Sequence, residues 1–151
     1  MTPLERAIAS GDVDAEIILP GVPTPTVSAA AAALGVTEEQ ILKSLVFTNG
    51  VDDVLAIACG LCRVSIEKLA AATGLRNLKL AKPPYVLTRT GYAVGAMPPV
   101  CHEPPIAVVL DERVVALDVA VAGGGQVDAL LRIAPAEILR VTGGCVASVT
   151  D

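Results

Sequence analysis

The chain has 151 residues, a length suited to one domain with a sizeable core, and 53% of them are apolar. One Phe, two Tyr and no Trp make that core aliphatic, and no uninterrupted apolar run is long enough to span a membrane. A formal net charge of −5 argues against a general nucleic-acid binder, DNA included, and the start of the chain lacks the basic-then-apolar order of a signal peptide, so a cytoplasmic protein is expected.

In chain order, Thr2-Pro3 opens a short helix through Ala9 that Gly11 stops. Glu16 to Leu19 reads as a strand and Pro20-Gly21-Val22-Pro23 as a turn. Thr26 is the N-cap of a helix over 27–34, with Gly35 just past its end. Thr37 and Gln40 have capping-box spacing. The runs 41–48 and 51–58, joined by Asn49-Gly50, predict a hairpin with a two-residue turn. In that strand Lys43 shares a face with Ile41, Leu45 and Phe47, because side chains alternate. A lysine on an apolar face is either paired, at the mouth of a pocket, or snorkelling at a sheet edge, and the sequence leaves these open.

Ser65 caps a helix ending at Thr73 and Gly74, followed by a short strand over 75–81 and a brief helical turn at Pro83-Pro84. Ile106 to Leu110 and Val114 to Val121 are apolar enough for buried strands, with Asp111-Glu112 between them. Gly123 to Gly125 form a tight turn that lacks the rest of a phosphate-binding fingerprint. A strand over 127–133, a helix from Pro135 to Val141 and a last strand over 146–149 complete the chain. Hairpins with interspersed helices predict a single α+β domain over residues 1–151, built on a mixed, strongly curved, barrel-like sheet.

Charge is uneven. Residues 1–53 hold eight acids and two bases, whereas 63–89 hold six bases (Arg63, Lys68, Arg76, Lys79, Lys82, Arg89) and one acid. The basic segment is either one positive face on an acidic body or an ordinary solvated surface. Of the four cysteines, Cys59 and Cys62 have Cys-x-x-Cys spacing, but the second pair that a structural zinc site wants is missing, and a free cysteine is also a common small core residue. No metal and no cofactor is expected.

The stretch from Thr90 to His102 is the most unusual, with two glycines, two adjacent prolines and the one histidine of the chain. Between Gly95 and Pro99 only Gly95, Ala96 and Met97 keep an amide hydrogen, since Pro98 and Pro99 have none. A stiff loop that presents a few chosen amides suits binding of a carbonyl or an oxyanion. The Met97 side chain is expected to shape the pocket.

Taken together, these stretches resemble the YbaK/ProX family, the free-standing relatives of the prolyl-tRNA synthetase editing domain. The residues that carry the resemblance run in the family's order from Thr26 onward: Thr26-Val27 before an Ala-rich helix, Gln40 to Phe47 with Lys43, the Gly95-Ala96-Met97-Pro98-Pro99 loop with His102, Asp111-Glu112, Ala122-Gly123 and the Pro135 helix closing on Gly143-Gly144. The resemblance implies hydrolysis of the ester joining a wrong amino acid to a tRNA 3′ end, commonly alanine or cysteine on the tRNA for proline. It implies as partners the aminoacyl-tRNA 3′ end and an aminoacyl-tRNA synthetase. The amides of Gly95, Ala96 and Met97, with Pro99 closing the Gly-x-x-x-Pro loop, would hold the aminoacyl carbonyl. Lys43 would hold phosphate and a hydroxyl of the terminal ribose would assist the attacking water, while His102 either orients water or ribose or is a loop histidine satisfied by the backbone. Thr26, Ser44, Pro98, Val121 and Gly123 would line the substrate site. Cys101 stands where relatives commonly have glycine, and Val121 where some carry a pocket serine, which bears on amino-acid specificity. The competing expectations are a non-catalytic module of the same fold that binds tRNA ends, nucleotides or a synthetase, and a thiol redox or metal protein using Cys59 and Cys62.

Overall fold

The computed structural model describes residues 1–151. Helices α1 (Pro3–Ser10), α2 (Val27–Leu34) and α3 (Ile66–Thr73) begin and end where local chemistry directs. Thr2, Thr26 and Ser65 accept from the backbone N–H of Glu5, Ala29 and Lys68, and Gly11, Gly35 and Gly74 close the helices in the left-handed conformation. Further along lie α4 (Pro83–Thr90), the four-residue α5 (Glu112–Val115) and α6 (Pro135–Thr142).

The strands are β1 (Ala15–Ile18), β2 (Leu42–Thr48), β3 (Asp53–Cys59), β4 (Lys79–Leu80), β5 (Ala107–Asp111), β6 (Ala120–Gly123), β7 (Leu130–Ile133) and β8 (Cys145–Ala147). They form two sheets rather than the strongly curved barrel expected from the sequence. One is antiparallel, in the order β1-β7-β6, and the other is mixed, in the order β4-β2-β3-β5-β8. Closure would need the outer strands to pair. Instead the two sheets touch through one parallel bridge, Ile41 to Val121, which is too little to continue a ladder.

Three apolar clusters fill the space around these sheets. The main one lies between them, with Leu42, Val46, Leu55 and Ile57 from the larger sheet facing Ala120, Ala122, Leu131 and Ile133 from the smaller. The second, around Phe47, Val54, Val109 and Leu69, lies under α3 on the other face of the larger sheet. The third packs Ala30 and Ala31 of α2 on Ile41, Val121 and Leu130. Successive residues of each strand serve opposite faces, so Lys43 sides with Ile41 and Phe47, and Ser44 with Leu42 and Val46.

Two local differences from the sequence expectation have clear causes. The β2–β3 register pairs Thr48 with Asp53, so the connecting loop has four residues, 49–52, rather than two. The Asn49 side chain accepts from the amides of Val51 (3.0 Å) and Asp52 (2.7 Å) and so withholds both residues from the ladder. Likewise the run from Val114 does not begin as a strand. Asp111 accepts from the Arg113 amide at 3.1 Å and caps the short helix α5, delaying β6 to Ala120.

Candidate active site

The loop after α4 is held at several points. Gly91 ends the helix in the left-handed region, and the Thr90 hydroxyl donates to the Val86 carbonyl at 2.7 Å and accepts from the Tyr92 amide at 3.1 Å. Tyr92 donates its phenol to the Cys101 carbonyl (3.1 Å) and meets the His102 ring edge to face, with centroids 6.0 Å apart. His102 Nε2–H donates to the Pro98 carbonyl at 2.9 Å. From the β6–β7 hairpin, the Gly125 amide donates to the Ala96 carbonyl at 2.9 Å. Residues 96–100 are buried, whereas Gly95 is exposed with φ +89°, a conformation that favours glycine.

Of the three candidate amides, that of Ala96 donates to the Ala93 carbonyl at 3.1 Å, while those of Gly95 and Met97 donate to no group within the chain. Gly95 opens into a cleft of about 690 Å³, walled by Val94, by Val127 and Asp128 of the β6–β7 hairpin, and by the segment from Leu19 to Pro25. The sequence marked 20–23 only as a turn. Its prolines make a stiff opposite wall, and nothing in the sequence pointed to Asp128.

Gly123 explains how the loop is seated. A Cβ on it would lie 2.8 Å from the carbonyl carbons of both Ala96 and Met97, so the loop backbone packs where a side chain would otherwise be. The Met97 side chain turns away from the cleft into the main core and is almost fully buried. The expectation that it shapes the pocket is therefore replaced by a packing role. Met97→Ala should lower the unfolding free energy by about 2–4 kcal/mol, read as a fall in the urea midpoint at unchanged slope.

Lys43 is half-buried on β2, opposite Ala58, and enters no ion pair or hydrogen bond within the chain. The parallel bridge between Ile41 and Val121 brings the start of β2 against β6, the strand whose Gly123 seats the loop. Lys43 is not part of the cleft lining itself. Ser44 faces the main core, and its hydroxyl is buried without a partner. Val121 is buried under α2, and Thr26 spends its hydroxyl on the Ala29 amide at 3.1 Å. Both support the walls rather than the opening.

His102 borders a smaller hollow with Cys101 and Val141, apart from the Gly95 cleft. Burial pushes its imidazole down to about 4, against the Pro98 carbonyl, which favours the protonated ring. The folded state thus refuses a proton that the unfolded chain accepts below the ordinary value of 6.5. The stability that depends on neutral His102 is complete above that value and is lost as pH falls toward 4, by at most roughly 3 kcal/mol. Urea midpoints taken from pH 7 down to pH 4 should fall, and His102→Gln should flatten that decline.

Two bases of the 63–89 segment are occupied. Arg89 pairs with Asp53 at 2.9 Å and donates to the carbonyls of Pro104 and Pro105, and Lys68 donates to the Thr150 carbonyl at 2.7 Å. Arg63, Arg76, Lys79 and Lys82 are exposed. The four cysteines are free thiols. Burial pushes Cys59 up to about 11, and Arg113 donates to the Cys62 sulfur at 3.2 Å.

Residues 22–141 match the aminoacyl-tRNA editing domain family. A proline–tRNA ligase of Streptococcus equi subsp. zooepidemicus is 32% identical over 101 residues, which are 67% of this chain and 16% of the ligase. The Enterococcus faecalis protein named "Putative Cys-tRNA(Pro)/Cys-tRNA(Cys) deacylase EbsC" is 26% identical over 121 residues, 80% of this chain and 74% of that protein. Among solved structures, the hypothetical protein APE2540 superposes with a TM-score of 0.91 at 32% identity, covering 99% of each chain. A structure described as "a putative trans-editing enzyme for prolyl tRNA synthetase" superposes with a TM-score of 0.84, also at 32% identity, over 100% of this chain and 99% of that one.

Proposed function

This chain belongs to the aminoacyl-tRNA editing domain family, and from that premise we propose that it hydrolyses the ester joining a wrong amino acid to the 3′ end of a tRNA. The observation that carries the reading is the pair of unpartnered amides, Gly95 and Met97, on a loop immobilised by His102, Gly125 and the bare face of Gly123. Donors fixed in place before the substrate arrives stabilise charge as it develops on the ester carbonyl oxygen and need no reorganisation during the reaction.

Ester cleavage then runs through water. The carbonyl oxygen accepts from the Gly95 and Met97 amides, water adds to the carbonyl carbon, and the ribose oxygen leaves with a proton. The family resemblance implies that the neighbouring ribose hydroxyl of the substrate assists the attacking water, and the cleft lining holds no cysteine or histidine. Lys43, a compact point charge without a partner in the chain, takes a phosphate of the terminal nucleotide.

The test is a panel of tRNAs charged with cognate and non-cognate amino acids. Alanine or cysteine on the tRNA for proline should be released at least about a hundredfold faster than without protein, a gain of the size that one oriented donor supplies. Prolyl-tRNA for proline should be spared. Binding of tRNA ends without release of any amino acid would replace the deacylase with a non-catalytic binding module.

A further inference from the structure

The cleft beside Gly95 has a single charged group in its lining, Asp128. Asp128 lies in the turn from Gln126 to Ala129, closed by the Ala129 amide on the Gln126 carbonyl at 3.1 Å. The same hairpin is tied to the amide-bearing loop by the Gly125 to Ala96 bond of 2.9 Å and is braced internally by the Gly124 amide on the Ala129 carbonyl at 3.1 Å. The backbone that carries Asp128 and the loop therefore hold a fixed relation. Asp128 is exposed, and no lysine or arginine of the chain pairs with it. Around it the cleft is walled by Leu19, Val22, Val94 and Val127.

The free Gly95 amide in the lining, one uncompensated carboxylate and apolar walls complement a particular ligand. An α-aminoacyl ester carries a carbonyl oxygen that accepts a hydrogen bond and, one carbon away, an ammonium that donates. We propose that Asp128 receives the α-ammonium of the aminoacyl group and is the residue that restricts this site to substrates with a free α-amine. The inference rests on the deacylase reading above. An ion pair beside apolar walls is screened less than one on an open surface. An N-acylated substrate offers no charge there, and it obliges the carboxylate to lose water without compensation.

The experiment compares alanyl-tRNA for proline with its N-acetylated form. In parallel, calorimetry measures binding of alanine joined through an amide to 3′-amino-3′-deoxyadenosine, again with free and acetylated amine. The wild-type chain should favour the free amine by about tenfold or more in kcat/KM and in affinity, as a hydrogen bond to a charged group allows. Asp128→Asn should bring both ratios within about twofold while the melting temperature holds. A ratio that survives Asp128→Asn, or a wild type that treats both amines alike while still hydrolysing them, overturns the role of Asp128 and leaves deacylation standing. No hydrolysis and no binding of either form by the wild type removes the deacylase reading and this inference with it.

Discussion

Gly123→Ala is expected to lower kcat/KM for deacylation by at least about a hundredfold, the size of losing one fixed oxyanion donor. The added methyl meets backbone, 2.8 Å from the carbonyl carbons of Ala96 and Met97, and not the yielding end of a side chain. Main chain at that distance has to move, and the segment that moves carries the Gly95 and Met97 amides. The shift also strains the bond from Gly125 to the Ala96 carbonyl. Stability should fall by about 1–3 kcal/mol, the usual range for overpacking, so the variant stays folded and the activity loss can be read. Parallel kinetics and thermal melts make the comparison. Activity within about threefold of wild type would show that the seat of the loop on Gly123 is unimportant to the chemistry.

Lys43→Ala is the second large effect. A charged hydrogen bond to phosphate is worth about 1.5–3 kcal/mol, which corresponds to a loss of roughly ten- to more than a hundredfold in kcat/KM. The melting temperature should stay the same or rise. Lys43 is half-buried, shares its strand face with Ile41 and Phe47, and has no anion in the chain to offset the water it gives up. Loss of activity at undiminished stability identifies a ligand-binding residue. An unfolded variant whose remaining native fraction turns over normally would assign Lys43 to the structure instead.

Features encoded by neighbours in the chain were legible in the sequence, and those encoded across it were not. The helix caps at Thr2, Thr26 and Ser65 and the glycines that end those helices act over three or four residues, and each element formed where it was read. The division into two sheets depends on which strand edges meet, and apolar patterning does not encode that. Asp111 shows the same limit on a smaller scale. Next to Glu112 it reads as a break between strands, yet it is fully buried and accepts from Arg113 and from Val149, 38 residues away. In the site, Gly95 and Lys43 stand out because glycine and an apolar-face lysine are locally anomalous. The bond from Gly125 to the Ala96 carbonyl and the presence of Asp128 in the cleft arise from the docking of the β6–β7 hairpin, and the inward turn of Met97 from its packing in the main core, none of which leaves a local trace.

The seam between the sheets has a mechanical consequence. Lys43 rides on the larger sheet and the seated loop on the smaller one, with one backbone bridge between their edges. On the proposed reading, a terminal nucleotide held by its phosphate on one side and by its acyl carbonyl on the other would be a rivet through that seam. Sliding of one sheet against the other would then be opposed by the bound molecule itself. Amide hydrogens along Ile41 and Val121 should exchange more slowly with solvent in the loaded state, and release of the acyl group, which cuts the rivet in two, should restore the slip that lets both pieces leave.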